Sequence, residues 1–351
     1  MKRNFLVHWM LQPTISLSLF HPTLPKHDTK KDIIVAVIDT GVDTTHPFLR
    51  KNIWANPNEN EANQTQTRLP NSVNDSKSLS NRIRDRYKDT KSLDKNFKNK
   101  YQDTNLEDND GNGYAGDFHG WNFSSNTPDV SDSHGHGTHV AGIILQNSGK
   151  AKSRVKIMAL KYYEPGNSQE ANLKNTIRAI EYAVKMGAKI INYSAGGFQP
   201  SPAEREIIRW AGRKGVLVVA AAGNEAVDTD IVGFYPASYD LENVISVTAL
   251  NGRDQILPSS NYGAHSVQFA ARGEKMVSTL PGNHWGEMTG TSQATAVVTG
   301  KLVQIMDELK DDKDVVEHSA LVLAALRRQS TSLPQLVTKT RYAKKIMSAD
   351  L

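Results

Sequence analysis

Six apolar, mostly β-branched residues stand in a row at Ile33–Ile38 (IIVAVI). A continuous run of this kind, without polar alternation, predicts a strand buried on both faces. Val155–Leu160, Lys189–Tyr193, Val216–Ala222 and Val244–Val247 are further short apolar runs of strand character. Between them the spacing turns helical. Over Glu170–Met186, the residues Leu173, Ile177, Ile180 and Val184 fall on one face, and Ala203–Arg213 reads the same way. Strands alternating with amphipathic helices predict an α/β fold, a mostly parallel sheet with helices on both faces. Helical patterns follow from Gly300 to Leu309, over Val315–Arg327 and over Leu336–Met347. No fixed-period repeat is present.

The rhythm breaks between about Asn56 and Leu106, a stretch rich in Asn, Asp, Ser, Lys and Thr that reads as a polar insertion. The expected organisation is an N-terminal segment over 1–32, one domain over 33–309 carrying that insertion at about 56–106, and a C-terminal helical extension over 310–351. Charge sharpens this picture. The chain of 351 residues has a net charge of +5, and ten Lys or Arg against four Asp lie between Arg68 and Lys100. One insertion therefore supplies the basic balance, and it reads as solvated surface; no nucleic-acid partner is expected. Residues 1–20 begin with Lys2 and Arg3, but His8, Gln12 and Pro13 interrupt the apolar stretch that follows, a poor secretory signal and no membrane span. There is no Cys, which excludes disulfides, thiolate metal sites and a thiol nucleophile.

Three separated motifs carry chemistry. Val35-Ala-Val-Ile-Asp39-Thr-Gly41-Val42 puts an acid at the end of the buried strand, where α/β sheets present functional groups. His134-Gly-His136-Gly-Thr-His139-Val-Ala-Gly142 opens a small-residue helix, and Gly290-Thr-Ser292-Gln-Ala-Thr precedes another. Taken singly, the Asp is a turn former or cap, the histidines are metal ligands or satisfied surface groups, and Gly-Thr-Ser is a capping sequence. Taken together, with VAVIDTGV, HGHGTHVAGI, INYSAGG, VVAAAGNE, FYPASY, SNYGAHSVQFAARG and STLPG…TGTSQAT in this order, the chain resembles the subtilisin-like serine proteases from about Ile33 to Lys301.

The resemblance implies a subtilisin-like fold and a serine endopeptidase working through an acyl-enzyme. A catalytically silent peptide-binding protein is the alternative. It implies Ser292 as nucleophile, His136 as its base and Asp39 as the group that orients the imidazole, with His139 packing one turn on. Asn224 is implied as the side-chain donor of the oxyanion hole. Ser194, Ala195, Gly196 and Gly197 are implied to pair with an extended peptide, and Ala222 and Gly223, with Tyr235-Pro236-Ala237, to line the primary specificity pocket. Gln293 and Ala296 depart from the usual Met and Pro beside the nucleophile, and the 32 residues before the catalytic strand are too few for the propeptide many relatives carry.

Asp108, Asp110 and Asn112, followed by Gly113, fit the first half of a calcium loop, D-x-[DN]-x-[DN]-G, or a plain Asn/Gly turn cluster. His119 stands where the loop's last acidic residue is expected, with Asp117 close by. The expectations are thus no cofactor for the chemistry, a structural Ca²⁺ at this loop and a polypeptide substrate. They further include no membrane partner, a monomer, and a secreted or periplasmic location.

Overall fold

The apolar runs become the central strands of one sheet: β1 (Ile33–Asp39), β3 (Val155–Lys161), β4 (Ile190–Tyr193), β5 (Leu217–Ala221) and β6 (Val244–Leu250). The computed structural model describes residues 31–59, 108–309 and 314–348. Shorter strands complete it: β2 (Gly120–Asn122), β7 (Phe269–Arg272), β10 (Thr331–Ser332) and β11 (Lys344–Ile346). Among the described residues the order is β10-β11-β7-β6-β5-β4-β1-β3-β2, with every neighbouring pair parallel except β10 and β11. The expected α/β architecture is the one found.

Both faces of the central strands are buried, which is why they read as largely apolar runs. In β1, Val35 and Val37 face one core while Ala36 and Ile38 face the other; in β5, Leu217 and Val219 oppose Val218 and Ala220. The first core is closed by α1 (His136–Gln146) and α4 (Thr291–Glu308), the second by α2 (Gln169–Lys185) and α3 (Pro202–Arg213). Side-chain oxygens cap the surface helices: Ser168 Oγ accepts from Ala171 N at 3.1 Å and Ser201 Oγ from Glu204 N at 3.3 Å. A hairpin, β8 (Met276–Leu280) with β9 (His284–Met288), lies apart from the main sheet. Among the described residues, no helix is long and apolar enough to cross a membrane.

Two expectations about organisation are corrected. The helix over Val315–Arg327 is present as α5 (Val315–Gln329), but Leu336–Met347 is not helical. A short 3-10 turn, Pro334–Leu336, leads to β11, which pairs in parallel with β7, Ile346 opposite Ala271. Ile346 buries its side chain in the first core, so the segment extends the sheet instead of forming a helical appendage. The polar insertion also starts later than expected, because Asn56 and Glu59 are buried in packed structure. Residues 60–106 of that insertion and 1–30 of the N-terminal segment lie outside the described residues.

In the sheet β1 lies between β3 and β4, so the chain passes from β3 across β1 to reach β4 on the other side. Such a switch in winding direction opens a crevice at the carboxyl ends of the strands, where α/β proteins bind ligands.

Candidate active site

Asp39 ends β1, with its carboxylate almost fully buried. His136 opens α1, and its Nδ1 lies 2.7 Å from Asp39 Oδ1. A nitrogen facing a carboxylate is the donor, so the neutral ring keeps Nε2 as its basic atom. The helix can come this near because Gly137 has no side chain: a Cβ there would collide with Gly41 O and lie 3.0 Å from Asp39 Cβ. Burial by itself lowers the His136 pKa. The charge and hydrogen bond of Asp39 outweigh it, and Asp132 adds a smaller push, so the group sits above the ordinary 6.5.

Asp132 was not singled out from the sequence, yet it ties the two motifs together. Its buried carboxylate accepts from Thr40 Oγ1 (2.9 Å), His134 N (3.0 Å) and Gly135 N (2.8 Å) on Oδ1. On Oδ2 it accepts from Thr138 N (2.9 Å) and Thr138 Oγ1 (2.7 Å). Thr40 Oγ1 in turn accepts from Gly137 N at 3.0 Å. A carboxylate thus satisfies donors at the start of α1, where backbone N–H groups have no helical partner and the dipole favours negative charge. An acid four residues ahead of a helix's first His was the legible signal. As for the other histidines, His139 Nε2 lies 3.2 Å from Gly286 O, one turn along α1, and burial lowers its pKa. The His134 ring is 6.3 Å from that of His136.

Ser292 sits in the first turn of α4, so its N–H belongs to the helix start that lacks intrahelical partners. Its Oγ donates to Ser194 O at 3.0 Å, just past the end of β4. Ser194 Oγ donates to Ser292 O (3.2 Å) and accepts from Asn192 Nδ2 (2.8 Å), while Thr299 Oγ1 donates to Asn192 Oδ1 (2.8 Å). Asn192 and Thr299 are fully buried, so this chain of hydrogen bonds fixes α4 against the strand. Neither residue was read from the sequence; the one available sign was Asn192 inside the otherwise apolar β4.

Asn224 follows β5. Its Oδ1 accepts from Thr291 N at 2.9 Å and Thr291 Oγ1 at 3.2 Å. Two donors on that atom settle which end of the amide is oxygen, and they leave Nδ2 as the donor beside the start of α4. Of the other expected substrate residues, Ala195 and Gly196 are partly or fully exposed, and Ala222 and Gly223 are buried. Gly197 is committed elsewhere: its N–H and C=O pair with Tyr235 at 2.9 and 2.7 Å. It holds the segment in place instead of lying open to a peptide. Gln293 Nε2 points at Met288 Sδ, 3.9 Å away.

The acidic loop differs from expectation in its membership. Carboxylate oxygens of Glu59, Asp110 and Asp117 lie within 4.8 Å of one another. Asp108 instead accepts from Asn112 N and Gly113 N (3.0 and 2.8 Å), tying the turn. The Asn112 amide donates to Asp110 and Asp117 at 3.0 and 2.8 Å, and Asn56 bridges the same two acids. Glu59 and Asp117 are buried, and Glu59 Oε2 has no hydrogen-bond partner among the described residues. Burial raises the pKa of all three carboxyls, and neighbouring acids raise them further. Clustered like charges with an unpartnered oxygen suit a hard cation with oxygen ligands.

A family model described as the subtilase family matches residues 30–342. The chain is 37% identical over 187 residues to the thermophilic serine proteinase of Bacillus sp. (strain AK1), covering 52% of this chain and 45% of that protein. It is 33% identical over 220 residues to the major intracellular serine protease of Bacillus subtilis (strain 168), covering 60% and 66%. With thermitase of Thermoactinomyces vulgaris it shares 35% over 185 residues, 52% of this chain and 64% of that one. The matches thus span less than two thirds of each relative's own length. A solved structure of a cold adapted subtilisin-like serine proteinase matches in fold with a TM-score of 0.60 at 20% identity, over 91% of this chain and 90% of the other.

Proposed function

The chain belongs to the subtilase family, and from that premise we propose that it is a serine endopeptidase cleaving polypeptides through an acyl-enzyme. The observation that carries the reading is the 2.7 Å contact of His136 Nδ1 with Asp39, which leaves Nε2 as a base of raised pKa. Ser292 is the nucleophile. To act, its Oγ must leave the Ser194 carbonyl to which it donates and give its proton to Nε2. As Oγ attacks the scissile carbonyl carbon, its proton passes to Nε2, and Asp39 stabilises the imidazolium. The oxyanion accepts from Asn224 Nδ2 and from the Ser292 N–H at the start of α4. Collapse expels the amine, which takes the proton from His136 and leaves the acyl group on Ser292. A water then gives its proton to His136 as it attacks, and the proton returns to Oγ when the acid product leaves. The substrate lies extended along Ser194–Gly196, held by backbone hydrogen bonds.

We include a structural Ca²⁺ in this proposal. Glu59, Asp110 and Asp117 would hold it, with Asn56 and Asn112 around them, and it would neutralise buried negative charge without entering the chemistry. The function is tested by incubating the purified chain and its Ser292→Ala variant with an unfolded protein. Hydrolysis by the first and none by the second is expected. Equal hydrolysis by both removes Ser292 from the nucleophile role, and hydrolysis by neither removes the peptidase reading and favours the silent peptide binder.

A further inference from the structure

Two backbone segments flank the start of α4. One begins at Ser194, whose carbonyl takes the Ser292 hydroxyl; the other ends at Asn224, whose amide takes the Thr291 N–H. Each carries a glycine, Gly196 and Gly223, and side chains missing from both segments would leave a slot between them beside the nucleophile. The slot is filled. A Cβ on Gly223 would come within 3.1 Å of Phe234 Cε1, and a Cβ on Gly196 would collide with the same atom. One edge of the Phe234 ring therefore touches both segments at once.

The ring is held there. It is 6% exposed and meets Phe198 edge to face, with centroids 5.5 Å apart at 86°. Its backbone is fixed on both sides. Phe234 N donates to Ser238 Oγ at 3.0 Å and Phe234 O accepts from Ser238 N at 2.8 Å, while the next residue, Tyr235, pairs with Gly197. Beyond Gly223 the wall is polar, formed by Glu225 Oε2 accepting from Asn261 Nδ2 at 2.7 Å. Swinging the ring out would expose an aromatic face and break its stack, so a bulky group cannot easily displace it.

We propose that Phe234 occupies the slot that receives the side chain preceding the scissile bond, and restricts that residue to glycine or alanine. This rests on the peptidase reading above, and names the substrate class for it. Glycine and alanine ask least of the space left beside the ring edge; a branched or aromatic side chain meets Phe234 before its carbonyl reaches Ser292. The restriction acts on kcat/KM, because a misplaced carbonyl loses transition-state contacts as well as binding.

The test is a panel of chromogenic peptides identical except for Gly, Ala, Leu or Phe before the cleaved bond. It is run on the wild-type chain and on Phe234→Ala and Phe234→Leu. The wild type should favour Ala over Phe by more than about 100-fold, since even one excess methylene in a closed pocket is worth about 10–200-fold. In Phe234→Ala the Phe-to-Ala ratio should rise by about two orders of magnitude, with Phe234→Leu between. A merely structural role for Phe234 would lower all four rates together and leave that ratio unmoved. Wild-type turnover of the Phe or Leu peptide at the Ala rate overturns the inference while leaving the peptidase reading intact. Absence of turnover on all four peptides, together with no labelling of Ser292 by a serine-directed phosphonate, overturns the peptidase reading and this inference with it.

Discussion

Replacing Asp132 by Asn keeps the shape of the side chain but removes its charge and one of its two acceptor oxygens. Five donors converge on the carboxylate, three on Oδ1 and two on Oδ2. Whichever way the amide is seated, its NH₂ faces at least two of them. The hydroxyls of Thr40 and Thr138 can turn away; the backbone N–H groups cannot. The better seating keeps oxygen on the Oδ1 side and orphans the N–H of Thr138, a residue with no solvent exposure. An unsatisfied buried donor costs about 1–3 kcal/mol. Loss of negative charge at the start of α1 adds about 0.3–1 kcal/mol, or up to ~2 where partly buried. The expected loss is therefore about 2–4 kcal/mol, a large share of the ~5–15 kcal/mol typical of a folded domain. Guanidinium unfolding of both proteins measures it as a lower midpoint at unchanged slope. Because the Asp132 charge helps hold the His136 pKa up, the acid limb of kcat/KM should also move to lower pH. A loss under about 0.5 kcal/mol with an unmoved acid limb would refute the role given to this carboxylate.

Asn224→Ala should lower kcat by about 10²–10³ with little change in KM, a magnitude taken from the equivalent loss in subtilisin itself; a change confined to KM in steady-state assays would take Asn224 out of the oxyanion role. His136 must be unprotonated to act as base, so kcat/KM of the wild type should fall as pH drops through a value above 6.5, and an acid limb below 6.5 would contradict the raised pKa. Stability runs the other way: the His136–Asp39 pair contributes fully below the unfolded value of 6.5 and loses that contribution as pH rises through the folded one. Millimolar Ca²⁺ should raise the melting temperature relative to chelator, since only the folded chain gathers Glu59, Asp110 and Asp117, and Glu59→Gln should remove the increment. Identical wild-type melting curves in the two conditions would leave the loop as a plain turn.

What the sequence shows of this protein follows from how local each signal is. β1 and β5 are rich in unbroken apolar sequence because both faces of each are covered, β3 and β6 are largely apolar for the same reason, and Asp39, His136 and Ser292 sit in unbroken motifs at element ends. β9 (HWGEM) carries mostly polar or exposed residues and, among the described residues, pairs only with its hairpin partner, so no burial pattern marks it. Leu336–Met347 has helical spacing, but Ile346 gains a place beside Ala271, far back in the chain, and that pairing decides its structure. Glu59 joins Asp110 and Asp117 across a stretch whose composition reads as surface, so only the folded chain reveals it. Asp132 lay in plain view four residues ahead of His136; its role depends on Thr40 reaching it from the end of β1.

The central claim is that the Ser292 hydroxyl becomes the covalent nucleophile. Treating the folded chain with a serine-directed phosphonate and mapping the adduct by peptide mass spectrometry tests it directly. The account predicts one adduct, on Ser292, formed in step with loss of peptidase activity and greatly slowed by His136→Ala. An adduct on another residue, or full inactivation with Ser292 unmodified, would contradict it.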